Sequence, residues 1–319
     1  MGFLRIVATG LGALCALAAV LAHGGRWDDG LDVLTHVAPL YLAGAVLVLG
    51  VALFTPQRQG GTRLAVLGGI AAIGALALVA PELTTPGSPP APADAPRRLK
   101  LIQFNAEPNA AQFEVMARWL AAEDPDVLIL EDGPPQLRAA ILQRLPRHMF
   151  CAPECEVSVF SRARPASVQR HGGGSYGMDP GMVIARYGPG DGGHVIVGLH
   201  YARPFGVAKK SRTAMARVQS ENSRRMLKIV GPLPKARLIV AGDFNSSPWS
   251  FARRREDAAL GIERRTRALF SWPAQGPTPP FLPIDHVYAG PAWKTVSVRR
   301  GPRIGSDHYP VVAVLARVP

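Results

Sequence analysis

Long uncharged stretches dominate the first eighty residues of the chain. They run from Phe3 to Ala22, from Leu34 to Phe54 and from Leu64 to Ala80. Each is close to the length that a helix needs to cross the hydrocarbon core of a bilayer, roughly 20 residues. The pattern predicts three transmembrane helices. A cleaved signal peptide is the alternative for the first stretch, but the two further stretches favour an uncleaved helix.

The charges of the connecting loops predict the orientation of these helices. The loop from His23 to Val33 carries one arginine and three aspartates, whereas the loop from Thr55 to Arg63 carries two arginines and no acidic residue. Because basic loops tend to remain in the cytoplasm, we expect the second loop and the N-terminus inside. The chain is then a multi-pass protein of the cell (inner) membrane, and everything after the third helix is extracytoplasmic or periplasmic.

The composition changes after the third apolar stretch. Residues 84–96, TTPGSPPAPADAP, are rich in Pro, Ala and Ser. Such a composition is typical of a stiff, extended linker. We therefore predict a membrane region at 1–82, a Pro/Ala-rich linker at 83–97 and a second domain at 98–319.

Beyond the linker, short apolar stretches alternate with helical and turn patterns. Strands are predicted at 99–105, 127–131, 157–161, 182–187, 194–200, 237–245, 284–290, 295–300 and 311–318, and helices at 111–122 and 135–145. So many strands with few helices favour two packed β-sheets flanked by helices over a simple doubly wound sheet. The predicted fold class is α/β, a four-layer α/β sandwich preceded by the three-helix region.

Charge also separates the two parts. Of the 36 Lys/Arg and 23 Asp/Glu in the chain, only four and five occur up to Pro96, which leaves 32 basic and 18 acidic residues beyond it. A basic surface attracts nucleic acid, phosphorylated small molecules or an anionic membrane; the plain alternative is a solvated, arginine-rich surface.

Cys151 and Cys155 are either a local disulfide, which suits an extracytoplasmic domain, or two free thiols.

Side chains capable of chemistry stand where the predicted strands end or begin. They are Asn105, Glu131, His200, Asp243, Asn245, Asp285, Asp307 and His308. Each alone has a plain explanation as part of a turn or a cap. Strand ends are rigid places from which to build one cleft, so their recurrence predicts a single site.

The order of these residues resembles the endonuclease/exonuclease/phosphatase superfamily, which includes deoxyribonuclease-I-like nucleases, inositol-polyphosphate phosphatases and neutral sphingomyelinases. The resemblance runs from about Leu99 to Val318. It rests on seven motifs: FN at 104–105, LILED at 128–132, SR within VFSRARP, HYARP at 200–204, GDFN at 242–245, IDHV at 284–287 and GSDH at 305–308. Each motif is weak alone, and their common order is specific. The resemblance implies a metal-dependent hydrolase of phosphate esters or anhydrides.

Oxygen-bearing side chains would hold the metal in such a site. Hard oxygen ligands select Mg²⁺ or Mn²⁺ over softer metals. We expect Glu131 to be the main ligand, with Asn105 and Asp307 completing a water-rich shell. By resemblance, Asp243 and Asn245 orient the attacking water and the scissile phosphate.

The resemblance also gives roles to two histidines. His308, paired with Asp285, serves as general base or as a cationic stabiliser of the transition state. His200 donates a hydrogen bond to a phosphate oxygen or assists the leaving group. Three other residues are expected to lie outside the site: His286 on the opposite face of its strand, Asp132 facing away from the metal, and His194 on the surface.

Substrate choice depends on the segments between the motifs. Two of these are basic, at 209–225 and 253–267, and Trp249, Phe270 and Trp272 accompany the second. Aromatic residues beside basic ones stack on nucleic-acid bases or lie at lipid headgroups. Simple packing in the core is the third interpretation.

Tethering to a bilayer favours a lipid substrate, because a lipid-linked phosphate already lies at the membrane surface. Some three-helix members of the superfamily resemble this layout and are linked to hydrolysis of undecaprenyl pyrophosphate. The first hypothesis is therefore a hydrolase of a lipid-linked phosphate such as a polyprenyl pyrophosphate. A membrane-tethered nuclease acting on DNA or RNA and a noncatalytic membrane binding module are the alternatives. The expected partners are the lipid bilayer and an anionic phosphate-bearing substrate, with nucleic acid as the alternative; the sequence identifies no protein partner.

Overall fold

Helices make up most of the chain before Thr85 in the computed structural model, which describes residues 2–318 apart from 89, 93, 96, 107–111, 173–176, 189–192 and 208–213. The chain divides into two units. The first contains Met1–Thr85 and Ser247–Arg255, and the second contains Pro86–Ser246 and Glu256–Pro319. The domain boundaries at 82/83 and 97/98 stay a prediction.

The first unit is built on three long apolar helices. Its helices are α1 (Gly2–Ala22), α2 (Asp29–Asp32), α3 (Ala38–Leu53) and α4 (Gly61–Thr84). With the short turns that flank them, they form three segments long and apolar enough to cross a membrane, at Gly2–Arg26, Asp29–Leu53 and Gly61–Thr84. Large apolar side chains such as Phe3, Leu47 and Ile73 are exposed, as expected for lipid-facing positions.

Small residues lie where these helices pack together. A Cβ atom at Gly44 would come within 2.6 Å of the Cys15 sulfur, and one at Gly12 within 3.1 Å of side-chain atoms of Val48 and Leu67. Close approach of helices through small residues is the packing mode that an apolar solvent favours. Cys15 is a buried free thiol.

A segment from far along the chain, Ser247–Arg255, completes the first unit. Asp32 is buried, and its carboxylate accepts hydrogen bonds from the backbone amides of Phe251 and Ala252, each at 2.8 Å. His36 is also buried, and its Nδ1 lies 3.1 Å from the Ser247 amide nitrogen. The sequence patterns did not predict this association, because no local pattern in the helices or in the segment indicates which distant residues each will contact.

The second unit contains twelve strands and four helices, counting the described residues and including α8, whose first residues belong to the first unit. The strands are β1 (Arg97–Asn105), β2 (Val127–Glu131), β3 (His148–Cys151), β4 (Val157–Ser161), β5 (Ser167–His171), β6 (Gly181–Arg186), β7 (Val195–His200), β8 (Leu238–Asp243), β9 (Glu263–Arg264), β10 (Asp285–Ala289), β11 (Trp293–Arg300) and β12 (Val311–Arg317). The helices are α5 (Phe113–Glu123), α6 (Pro135–Arg144), α7 (Met215–Val230) and α8 (Phe251–Leu260).

Two six-stranded sheets stack to form the centre of this unit. Their strand orders are β11-β12-β1-β2-β4-β3 and β5-β6-β7-β8-β10-β9. Alternate residues of each strand point to opposite faces. Leu101 of β1 therefore joins the apolar cluster between the sheets, together with Ile129 and Ile239, while Ile102 packs outward with the residues of α5 and α6.

The second sheet is covered on its outer face by α7. Met226 and Val230 of that helix pack with Val197 and Val240 of the sheet. The order helix, sheet, sheet, helix confirms the predicted four-layer α/β sandwich.

All nine predicted strands are present, and three further strands were missed. The missed strands are β3, β5 and β9, which lie at sheet edges. β3 and β5 mix polar with apolar residues, and β9 consists of two charged residues, so none has the continuous apolar run of a buried strand. The first half of the predicted basic loop at 253–267 is part of α8. The predicted helix at 111–122 is observed as α5, and Ala111 lies outside the described residues.

Two local details, one beside β3 and one beside β7, bear on the sequence predictions. Cys151 and Cys155 form a disulfide. The surface assignment of His194 was wrong: the side chain is buried, stacked on Tyr187 at 4.5 Å between ring centroids and edge-on to Trp293. Its aromatic neighbours come from tertiary packing, which the local sequence does not display.

Gly198 of β7 lies between the sheets and offers a test of their packing. A Cβ atom there would come within 2.9 Å of Ile129 Cγ2 and 3.0 Å of Val159 Cγ2. Because overpacking of a dense core costs about 1–3 kcal/mol, we expect Gly198→Ala to lower the free energy of unfolding by about that amount. Gly188→Ala is the matched control, since its added Cβ meets only Ala166 at 4.0 Å. Equal melting temperatures for the two variants would contradict this packing.

Candidate active site

The ends of neighbouring strands bring the predicted site residues together within each sheet. In the first sheet, β1 and β2 run parallel and Asn105 pairs with Glu131. In the second, β7 and β8 run parallel and His200 pairs with Asp243, while antiparallel β10 pairs its first residue, Asp285, with Asp243. All five residues are buried. The register of the strands therefore places functional groups at one end of each sheet.

Gln103, which is not among the predicted site residues, joins the two sheets at this end. Its Nε2 donates hydrogen bonds to Glu131 Oε2 at 3.0 Å and to Asp285 Oδ1 at 2.8 Å. One amide thus bridges two buried carboxylates from different sheets. The signal that could have revealed it is the period of two in β1, because a glutamine two residues before Asn105 shares its face.

Asp243 accepts hydrogen bonds from both neighbouring asparagines. Asn105 Nδ2 donates to Asp243 Oδ2 at 2.9 Å, and the Asn245 backbone amide donates to Oδ1 at 2.7 Å. Asn245 has a positive φ of 48°, a conformation that asparagine adopts more readily than most residues. Gln219 of α7 holds the following carbonyl by donating to Asn245 O at 2.8 Å. The turn after β8 is therefore fixed from several sides.

His308 lies between two aspartates. Its Nδ1 donates to Asp285 Oδ2 at 2.9 Å, and its Nε2 is 3.7 Å from Asp243 Oδ2. Burial alone lowers the pKa of His308, but Asp285 and Asp243 outweigh burial and raise this pKa to about 10. The imidazole is consequently cationic near neutral pH. The Ser306 hydroxyl holds the loop by donating to Asn105 O at 2.7 Å and accepting from the His308 amide.

His200 faces Asp243 from the other side. Its Nε2 lies 3.6 Å from Asp243 Oδ2 and 3.3 Å from Asn245 Nδ2. Burial alone lowers the pKa of His200, but the bond to Asp243 and the charges of Asp132, Asp243 and Glu156 raise it to about 10. For Asp243, burial works to raise the pKa, yet His308 and His200 lower it below its ordinary value. The three groups form one mutually stabilised charge cluster.

Two acidic residues near His200 were missed by the sequence analysis. Glu156 Oε1 lies 3.5 Å and Asp132 Oδ1 3.7 Å from His200 Nδ1. Asp132 was expected to face away from the metal by strand alternation. The chain turns at this residue, however, with a φ of 50°, so the period of two no longer applies there. Glu156 stands in a turn before β4, where no pattern marked it.

The remaining predicted residues lie around this cluster. Asp307 Oδ2 accepts a hydrogen bond from Trp272 Nε1 at 2.9 Å, and its Oδ1 lies 4.0 Å from His308 Nε2. His286 is buried and its Nε2 bonds to the carbonyl oxygen of Ser246 at 2.9 Å. The second histidine of the IDHV motif thus supports the backbone after Asn245.

The side-chain oxygens of Asn105, Glu131 and Asp307 are of the chemical kind that a hard cation binds. Glu131 Oε1 and Asp307 Oδ1 are buried and have no hydrogen-bond partner among the described residues. The side-chain nitrogen of Asn105 donates to Asp243, so the ligand atom in this assignment would be its side-chain oxygen. Burial raises the pKa of Glu131 well above its ordinary value. A cation at these oxygens would compensate the cost of burying the carboxylate.

Among the described residues, Asp243, Asp285 and His308 have the spacing of a metal site. Ligand atoms of Asp243, Asp285 and His308 all lie within 4.8 Å of one another. The hydrogen bond from His308 Nδ1 to Asp285 accounts for much of this closeness without a cation. We therefore regard this group as an acid–base network.

The comparisons with known proteins agree with this geometry. A model of the Endonuclease/Exonuclease/phosphatase family matches residues 99–308. The chain belongs to this family. Its members are phosphoric ester hydrolases, and dependence on Mg²⁺ or Mn²⁺ is typical of them. The chain is accordingly an enzyme, and the noncatalytic alternative is set aside.

Solved structures show the same fold at low sequence identity. A D. rerio TDP2 humanized by 14 mutations is 16% identical, with a TM-score of 0.53 over 68% of this chain and 98% of that chain. Sphingomyelinase C from Streptomyces griseocarneus is 19% identical, with a TM-score of 0.51 over 68% and 99%. A beta toxin variant from Staphylococcus aureus with bound magnesium ions is 14% identical, with a TM-score of 0.51 over 68% and 99%. No curated protein sequence matches the chain.

Gln103 offers a direct test of the site. Gln103→Ala removes the donor that two carboxylates share, so Glu131 and Asp285 lose their common orientation. Since losing such an outer partner costs about 10- to 100-fold in metal affinity or activity, we expect phosphoester hydrolysis by the full chain to fall by that factor. Gln136→Ala, at an exposed glutamine of α6, should leave the rate unchanged. Equal rates for both variants, at equal thermal stability, would show that the bridge is dispensable.

Proposed function

We propose that this chain is a membrane-tethered hydrolase that cleaves a lipid-linked phosphate, such as a polyprenyl pyrophosphate, outside the cytoplasm. One observation supports it above all: a chain with the complete acid–base cluster around Asp243 also carries three helices suited to span a membrane. An enzyme anchored in this way works where lipid phosphates are concentrated.

In this proposal Asn105, Glu131 and Asp307 bind Mg²⁺ or Mn²⁺. When bound, the ion supplies positive charge that neutralises the phosphate and polarises it for attack. Glu131 and Asp307 each present a buried oxygen without another partner among the described residues. Gln103 orients Glu131 through its other oxygen.

The remaining residues act on water and phosphate. Asp243, held by the asparagine amides, orients the attacking water, and Asn245 beside it helps to orient the scissile phosphate. His308, fixed by Asp285, contributes a positive charge toward the negative charge that develops in the transition state. His200 occupies the other flank of Asp243 and donates to a phosphate oxygen or to the leaving group.

The second basic segment supports a small phosphate substrate over a long nucleic acid. Arg253, Arg264 and Arg265 are buried, and Arg265 donates to the backbone carbonyls of residues 289, 290 and 293. Trp249 is fully buried and therefore packs in the interior, where it cannot stack on a base. Several arginines of this segment are thus buried within the protein and are not available on the surface to bind a nucleic acid. In the first basic segment, Lys209, Lys210 and Arg212 lie outside the described residues.

A membrane-tethered nuclease is the second candidate, and one surface feature favours it. The exposed guanidinium groups of Arg300 and Arg303 lie 4.8 and 5.8 Å from the ring centroid of Tyr309, which directly follows His308. Two cations next to the site suit the neighbouring phosphates of a nucleic acid strand. They suit the second phosphate of a pyrophosphate equally, so this feature requires a direct assay.

A substrate panel distinguishes the two candidates. The full chain in detergent with Mg²⁺ is offered polyprenyl pyrophosphate, sphingomyelin, plasmid DNA and single-stranded DNA. We expect phosphate release from polyprenyl pyrophosphate. The rate should fall at least about a hundredfold in Glu131→Gln, because the metal proposed to stabilise the negative charge of the transition state loses a charged ligand. Glu114→Gln, at a surface glutamate paired with Arg144, is the control with unchanged rate. Cleavage of DNA that needs Glu131, without phosphate release from lipid, would establish the nuclease and refute the lipid substrate.

The orientation is tested separately. The loop charges favour an outside position for the second unit, and the Cys151–Cys155 disulfide is consistent with an oxidising compartment. A reporter enzyme that folds only outside the cytoplasm should be active when fused after residue 319 and inactive when fused after Gln59, in the second loop. Activity only for the Gln59 fusion would reverse the proposed topology.

A further inference from the structure

The segment Ser247–Arg255, here called the return segment, begins two residues after Asn245 and belongs to the unit of apolar helices. Its residues Phe251 and Ala252 form the first turn of α8, where backbone amides have no partner within the helix. Asp32 accepts from both amides at 2.8 Å. A carboxylate at this position satisfies two donors and interacts favourably with the helix dipole.

His36 holds the start of the same segment. Its Nδ1 lies 3.1 Å from the Ser247 amide nitrogen and 2.9 Å from the Ser247 hydroxyl oxygen, so the ring nitrogen acts as an acceptor. Asp32 and His36 are 4% and 3% exposed. Polar side chains buried among apolar helices are costly unless partnered. Here their partners are amides more than 200 residues away in the sequence.

Further contacts hold the return segment in the first unit. Arg254 donates to the carbonyl oxygen of Leu78 near the end of α4 at 2.6 Å. The Arg26 guanidinium lies 5.2 Å from the centre of the Phe251 ring, and Trp249 is completely buried. The segment is therefore an integral part of this unit.

Only one residue separates this anchored segment from the site. Asn245 is fixed by Asp243 and Gln219, Ser247 is fixed by His36, and Ser246 between them accepts a hydrogen bond from His286. A shift of Ser247 would have to be absorbed within two residues, one of which is Asn245 with its positive φ. A displacement of the return segment would therefore fall on the two residues that lead back to Asn245, whose side chain lies beside Asp243 and His200.

We propose that Asp32 and His36 are positioning residues of the enzyme: by binding the amides of the return segment, they set the geometry of Asn245. The apolar helices are then a required part of the active enzyme as well as its anchor. This inference holds for any phosphate ester substrate and does not depend on the lipid hypothesis.

Hydrogen exchange tests the contact itself. Asp32→Ala, Asp32→Asn and His36→Ala are made in the full chain in detergent, with Asp28→Ala as control, because Asp28 is an exposed carboxylate that caps Leu31 in α2. In Asp32→Ala the amides of residues 251 and 252 should exchange faster, while peptides from α1 and α4 keep their protection and show that the helices are folded. Asp32→Asn should be intermediate, since its single carbonyl oxygen accepts from one amide. Unchanged exchange at 251–252 in Asp32→Ala would refute the contact.

Kinetics test the positioning role, using whichever substrate of the panel the parent chain cleaves. Small misplacements of catalytic groups cost up to about a hundredfold in rate, so Asp32→Ala and His36→Ala should lower kcat by about 10- to 100-fold, with KM changed less than about twofold. Asp32→Asn should recover part of kcat, and Asp28→Ala should match the parent. Faster exchange with unchanged kcat would overturn the proposal. A failure of the lipid hypothesis would appear instead as a change of substrate with these variant effects intact.

Discussion

The site depends on one constraint: several carboxylates are buried close together and must be compensated there. Glu131 and Asp285 come from different sheets and share the single amide of Gln103. Asp243 is balanced by Asn105, His200 and His308. Without these partners the desolvation cost would protonate the acids or separate the sheets. Each donor therefore has two effects, since it stabilises the stacked sheets and keeps the charges available for chemistry.

The stacked sheets explain why residues so distant in sequence share one place. Parallel pairs β1–β2 and β7–β8 end at the same edge of their sheets, and antiparallel β10 begins there. The apolar layer between the sheets fixes the register, because a slip of one residue would turn the core side chains to the other face. The packing that stabilises the two sheets thus also fixes the relative positions of the side chains in the site.

The features of this structure that could be predicted from the sequence are those with a local pattern of apolar and polar residues. Nine strands and the four layers followed from apolar runs, and the site residues followed from strand ends and motif order. The rest needed tertiary information. The position of Asp132 near His200 was not predicted because its positive φ interrupts the alternation of the strand. That of Glu156 was not predicted because it stands in a turn. The burial of Arg253 and Arg265 was hidden because an arginine-rich segment has the same pattern whether its guanidinium groups face water or backbone carbonyls.

The return segment has a consequence for biosynthesis. Asp32 and His36 leave the ribosome about 200 residues before the amides that they bind, so both are at first without these amides among newly made apolar helices. The N-terminal helices cannot reach their final packing until most of the remaining chain has been made and delivered to them. The first unit therefore completes its packing only after most of the catalytic sequence has been made, and a protein cut short before Ser247 would leave Asp32 and His36 without these amides among the apolar helices.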